Sequence, residues 1–211
     1  LDNVVAAVKH SDRISEIFMR DVSNYALERI AAAMERPFPE MTGCYFATCD
    51  ETVTDLPDSL LGGFAPRLRA LTLEGIPFLA LHDLLLSATN LVCLHLREVP
   101  ASGYISLEAP MVDCLSLLTG LEHFDLAYRS SHPPPFDPTS RRLSPLPVLT
   151  RLSFCGVAEY LEGIFASIEA PLLESVCCIT FLNPGIFDLS RVSMFTGRTK
   201  LFEGLDQAHI L

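Results

Sequence analysis

The sequence predicts an α/β leucine-rich-repeat solenoid, a horseshoe arc with a concave parallel sheet of about eight short strands and helices or turns on the convex side. Three observations predict it. An apolar-x-x-apolar-x-apolar spacing recurs along the chain, and it fits neither the i, i+3, i+4, i+7 face of a helix nor the alternation of a simple strand. Segments of helical periodicity separate the copies, so strand and helix alternate as in parallel β/α architecture. The middles of the strands carry Thr72, His95, Asp125 and Ser153, whereas a doubly wound sheet, buried on both faces, has strands that read as continuous apolar runs. One face of this sheet is therefore expected to be wet.

In chain order the copies are Ile14, Ile17, Met19; Met41, Cys44, Phe46; Leu68, Leu71, Leu73; Leu91, Leu94, Leu96; Leu121, Phe124, Leu126; and Leu149, Leu152, Phe154. Two weaker copies follow, Leu173, Val176, Cys178 and Leu205, Ala208, Ile210. Their first positions are separated by 27, 27, 23, 30, 28, 24 and 32 residues, close to the roughly 20 to 29 residues of a leucine-rich repeat with a few insertions. Val22, Ile76, Val99 and Val157 add a later anchor that turns the chain off the strand and back to the core. Between strands, "SNYALERIAAAMER" reads as a helix capped by Ser23 or Asn24. "LALHDLLLSAT", "PMVDCLSLLTG" with Pro110 opening the turn, "EYLEGIFASIEA" and "LSRVSMFTGRTK" read the same way, and "DLPDSLLGGF" has room for about one turn, with Gly62 and Gly63 at its exit.

The repeat leaves no internal boundary, so residues 1–211 are read as one domain. The exception is residues 129–147, "RSSHPPPFDPTSRRLSPLP", where six prolines in nineteen residues forbid a helix and resist sheet pairing. This stretch is expected to be a loop insertion. "NVVAAV" resembles the convex half of an earlier repeat and "AHIL" ends on an unpaired strand, so a fragment of a longer chain is expected.

A formal charge of -11 argues against a nucleic-acid partner, because a phosphate backbone attracts cations. No apolar run reaches the roughly 18 residues of a membrane span. Seven cysteines, an odd number without zinc-type spacing, read as buried small hydrophobes in a reducing compartment, cytoplasm or nucleus. No nucleophile elbow, phosphate loop or H-E-x-x-H pair is present, and the expectation is a protein that is not an enzyme.

The ordered phrases "DRISEIFM", "LPDSLLGGFAPRLRALTLEGIPF", "LLLSATNLVCLHL", "SGYIS", "LTRLSFCGVAEYLEGIFASIEAPLLESVCCITF" and "LFEGLDQAHIL" closely resemble the leucine-rich-repeat region of fungal, basidiomycete F-box proteins. That resemblance covers nearly the whole chain. It implies repeats that hold the substrate of a cullin-RING ubiquitin ligase, with the ligase adaptor reached through an amino-terminal F-box. No F-box is found in these residues: "LPDSLLGGF" has a similar Leu-Pro opening but runs straight into a repeat strand.

Strand geometry places the recognition surface. Residues on either side of the second anchor point away from the core, and parallel neighbours about 4.8 Å apart stack equivalent positions into ladders. The central ladder reads Phe18, Tyr45, Thr72, His95, Asp125, Ser153, Cys177, His209; one flank reads Glu16, Gly43, Ala70, Cys93, His123, Arg151, Ser175 and the other Arg20, Ala47, Glu74, Arg97, Ala127, Cys155. Aromatic and Arg side chains dominate binding hot spots, so Phe18, Arg20, Tyr45, Thr72, Glu74, His95, Arg97, His123, Asp125, Arg151 and Ser153 are the expected partner-binding residues. Cys93, His95, His123 and Asp125 have the chemistry of divalent-ion ligands, but ladder spacing does not supply a tetrahedral array. They are read as polar neighbours, and no metal or cofactor is assigned. The expected function is a protein-binding module, the substrate receptor of an F-box-type ligase, with a free-standing binding scaffold, an inhibitor or sensor, as the alternative.

Overall fold

The computed structural model describes residues 1–48, 50, 56–57, 60–77, 81–100, 114–129, 143–182, 195 and 199. Among the described residues seven strands follow the predicted copies, β1 (Glu16–Val22), β2 (Gly43–Thr48), β3 (Ala70–Glu74), β4 (Cys93–Val99), β5 (His123–Tyr128), β7 (Arg151–Gly156) and β9 (Ser175–Phe181), and two short ones lie between copies, β6 (Ser144–Pro145) and β8 (Ile168–Glu169). Four helices accompany them: α1 (Asp2–Val8), α2 (Asn24–Ala32), α3 (Leu81–Ser87) and α4 (Ala158–Ser167). Residues 114–117 are also helical, and Leu60–Gly63 form a short 3-10 turn. The fold is thus α/β, with a seven-stranded parallel sheet ordered β1-β2-β3-β4-β5-β7-β9. The copy at Leu205, Ala208 and Ile210 and the segment "LSRVSMFTGRTK", apart from Phe195 and Thr199, lie outside the described residues. Among the described residues no helix is long and apolar enough to cross a membrane.

Every strand from β2 onward in the large sheet is launched by one device. The first anchor donates its N–H three residues back: Met41 to Phe38, Leu68 to Ala65, Leu91 to Ala88, Leu121 to Leu118, Leu149 to Leu146 and Leu173 to Ala170, at 2.9–3.2 Å. Both members of each pair are buried, so a tight turn closes over two apolar side chains. The residue after the anchor and its successor then share one carbonyl of the previous strand: Thr42 and Gly43 on Ser15, Arg69 and Ala70 on Thr42, Val92 and Cys93 on Arg69, Glu122 and His123 on Val92, Thr150 and Arg151 on Glu122, and Glu174 and Ser175 on Thr150. This rail locks the register of each strand to the one before it. The buried upstream partners at Phe38 to Ala170 are a signal that the predicted pattern did not include.

The second and third anchors of β2 to β7 are buried in one continuous core with the inner faces of α2 and α4. Ser23 caps α2 as expected, its hydroxyl accepting from the Ala26 N–H at 3.4 Å. Asp50 adds a second cap, its carboxylate accepting from the Asn24 N–H at 2.6 Å. Cys44 is buried as a small hydrophobe, and burial pushes its thiol up to about 12.

Two expectations need correction. The insertion at 129–147 is shorter than predicted at both ends: the Arg129 N–H donates to Val99 at 2.9 Å, and β6 pairs in parallel with β8. Pro145 is tolerated there because β6 is a two-residue edge strand and the next residue, Leu146, donates to Glu169 at 2.8 Å. The central stretch, 130–142, lies outside the described residues. The Arg20 flank is not one continuous ladder either: the register shifts between Met19 and Val22 and between Leu96 and Val99. Asp21 and Glu98 sit there at φ 53° and 50°, each an extra residue that bends its strand. Ala47 on that flank is buried. Gly62 and Gly63, in contrast, end the 3-10 turn as expected, both at positive φ.

Gly62 holds φ +61°, and a Cβ there would stand 2.4 Å from the Pro37 nitrogen. A residue strained in this region costs about 1–3 kcal/mol. Gly62→Ala is therefore expected to lower the thermal midpoint clearly more than Gly63→Ala, whose Cβ meets nothing within 4 Å at φ +62°. Equal shifts would show that the close approach to Pro37 carries no cost.

Candidate functional site

The face opposite the core carries the predicted central ladder in the predicted register: Phe18 beside Tyr45, then Thr72, His95, Asp125 and Ser153, and the backbone of Cys177 pairs in register with Ser153. The flank from Glu16 through Gly43, Ala70, Cys93, His123 and Arg151 to Ser175 is also in register, and His209 lies outside the described residues.

Phe18 is 70% exposed and stacks on Tyr45, ring centroids 4.4 Å apart and planes 17° from parallel. The Tyr45 hydroxyl donates to Glu74 Oε2 at 3.1 Å. Burial, then the Glu74 carboxylate, pushes the Tyr45 phenol up, against the pull of Arg20 and Arg97. Glu74→Gln removes the second cause, so the phenol is expected to titrate at lower pH, read as the wild-type-minus-variant phenolate absorbance. An unchanged curve would place Glu74 outside the Tyr45 environment in solution.

Two strands on, Arg97 precedes the β4 bulge and its side chain reaches Asp125 of the central ladder. Arg97 Nε donates to Asp125 Oδ2 at 2.6 Å, and His95 Nδ1 lies 3.5 Å from the same oxygen. Asp125 is thereby buried rather than wet. Burial pushes its carboxyl up, but the hydrogen bonds and charges of His95 and Arg97 outweigh it and hold the group below the usual carboxylate range. Cys93 Sγ lies 3.4 Å from His123 Nδ1; burial and Glu122 push the Cys93 thiol up, against Arg151 and Arg69. A raised thiol stores little thiolate, the form that attacks or ligates. Among the described residues no three His, Cys, Asp or Glu side chains are grouped to hold a metal ion.

The predicted residues therefore fall into linked sets: Phe18, Tyr45 and Glu74 with Arg20 near them, then His95, Arg97 and Asp125, then His123 with Cys93 and Arg151. Thr72 and Ser153 stand half-exposed between them. Cys93, weighed from the sequence only as a candidate metal ligand, and Glu16, placed on the face by spacing alone, were not among the expected partner-binding residues. Glu16 leans over Gly43, its Cγ 3.5 Å from where a Cβ would be, and the missing side chain at Gly43 is the signal that marks this opening. Comparison with protein-family models, curated proteins and solved structures finds no match to this chain. The reading of the site rests on its own geometry.

Proposed function

We propose that this chain is a protein-binding module whose open sheet face recognises a partner, and that the sheet is the concave wall of a leucine-rich-repeat solenoid. The carrying observation is an exposed aromatic stack, Phe18 on Tyr45, with the Tyr45 hydroxyl held by Glu74, on the same face as an Arg97–Asp125 pair already held in place on β4 and β5. Side chains immobilised before binding lose less entropy when a partner arrives, and aromatic and Arg groups are the residues that anchor interfaces. The regular spacing of the copies and the shared-carbonyl rail support the solenoid.

Within this reading, the resemblance of the sequence phrases to fungal F-box proteins favours the substrate receptor of a cullin-RING ubiquitin ligase. A free-standing binding scaffold is the alternative. A photo-crosslinking residue at Thr72 on the open face is expected to give a discrete protein adduct in the source cells, whereas the same residue at the exposed Glu28 on α2 gives none. Equal labelling from both positions would refute recognition by the open face. Co-purification of the ligase adaptor with the full-length protein, and ubiquitylation of the adduct partner, separate the ligase from the scaffold.

A further inference from the structure

At β6 the usual sorting of side chains is reversed. Leu143, just before the strand, is 41% exposed, while Ser144 is wholly buried. A buried polar side chain beside an exposed apolar one is the informative exception to apolar-inside packing. The same serine stands in a marked stretch of sequence, "RRLSP", residues 141–145. Arg141 and Arg142 are the only Arg-Arg pair in the sequence, and Ser144-Pro145 is its only Ser-Pro or Thr-Pro step. Protein kinases choose acceptors by such patterns, one class by arginines three and two residues ahead of the hydroxyl, another by a proline directly after it. Both signals converge on one hydroxyl.

The strand that buries this hydroxyl is lightly held. β6 has two residues and pairs with the two of β8, Ser144 opposite Ile168 and Pro145 opposite Glu169. Pro145 has no N–H to give, and the next donor, Leu146, reaches the Glu169 carbonyl at 2.8 Å. Short elements with few backbone bonds open at the low end of the free-energy scale while the core stays folded. The Leu146 carbonyl accepts separately from the Leu149 N–H at 3.2 Å, so β7 keeps its launching turn when β6 leaves β8.

We propose that Ser144 is a phosphorylation site, and that its phosphate holds β6 off β8, opening the tie at the carboxyl end of the predicted 129–147 insertion. The Ser144 Oγ attacks the γ-phosphorus of ATP. The Oγ–P bond forms, the bond to the β–γ bridging oxygen breaks, ADP leaves, and the hydroxyl proton passes to the kinase's carboxylate base. The product carries a charge of about −1.5 to −2 and three acceptor oxygens. A position without exposed surface gives that charge no water, and the facing strand offers apolar Ile168 and acidic Glu169, so β6 does not close again. The amino end of the insertion keeps its own tie, the Arg129 N–H on Val99. β6 and β8 form a sheet separate from the seven-stranded one, so this inference does not depend on the binding role of the open face.

The folded 211-residue chain is incubated with ATP and either a kinase that reads arginines at those two positions or a proline-directed kinase, and the phosphate is located by peptide mass spectrometry. At least one kinase is expected to label Ser144, and Ser144→Ala is expected to lose that label. Arg141→Ala/Arg142→Ala separates the two sources, because it abolishes labelling by the first kinase and leaves labelling by the second. In the phosphorylated chain, hydrogen exchange followed by NMR should show the Leu146 amide exchanging about tenfold faster or more, as expected of a local opening, while the Leu71 and Leu73 amides of β3 keep their rates. No label at Ser144 from either kinase, or an unchanged Leu146 rate after phosphorylation, would overturn the proposal. Equal acceleration on β3 would overturn it too, since that marks general unfolding rather than release of β6.

Discussion

Replacing Phe154 with alanine is expected to destabilise the fold by about 3–5 kcal/mol, the usual cost of emptying a large aromatic site in a core. Phe154 is fully buried on β7. Its ring meets Tyr128 edge-on at 6.5 Å, and Tyr128 in turn meets Tyr160 of α4 edge-on at 5.1 Å, so the three rings join sheet to helix. Gly156 makes room for the ring: a Cβ at that position would lie 2.6 Å from Phe154 Cζ. Truncation therefore leaves a void that the neighbouring backbone is not shaped to refill. The urea midpoint should fall much further than for Phe18→Ala, which loses only an exposed stacking contact of about 0.5–1.5 kcal/mol. Similar midpoints for the two variants would mean that the aromatic link between sheet and helix contributes little.

Asp125→Asn is expected to cost about 1–3 kcal/mol at neutral pH, the range for a hydrogen bond to a charged group whose partners are then left unmatched. The lower part of that range is favoured because the Arg97 side chain is about half exposed and partly screened by water. The pH dependence follows from the direction of the shift. The folded-state carboxyl of Asp125 is held below its unfolded value by His95 and Arg97 in spite of burial. Its contribution is therefore complete above the ordinary carboxylate range, near about pH 4, and is lost as pH falls through the lower folded value. Urea unfolding of both proteins across acidic pH should show the wild-type advantage shrinking as the solution becomes more acid. An advantage that is constant or grows on acidification would contradict the ion-pair geometry.

Much of the fold was legible because burial imposes a period. Leu71 and Leu73, or Leu94 and Leu96, lie two apart because a strand alternates, and the turn anchors Leu68 and Leu91 lie three residues before the first of each pair. Such spacing needs no knowledge of distant residues. The register of the central ladder followed from the same rule, since equivalent positions of equivalent copies must face each other once the shared-carbonyl rail is in place. Of the missed upstream anchors, Ala65, Ala88 and Ala170 are small residues whose burial at a tight turn carries little hydropathy, whereas Phe38, Leu118 and Leu146 are large and apolar but stand three residues before the pattern begins. The bulges at Asp21 and Glu98 carry no distinctive residue type, because nothing about Asp or Glu demands φ near +50°.

The candidate site divides in the same way. That Phe18, Tyr45, Thr72, His95, Asp125 and Ser153 occupy one face was determined by alternation along the chain, a local property of the backbone. That Arg97 reaches Asp125, that Tyr45 donates to Glu74, and that Asp50 caps a helix starting 26 residues earlier were decided by the tertiary structure alone. Side-chain partners depend on strand bends and rotamers set by neighbours far away in sequence, whereas the alternation of faces is built into each strand by itself.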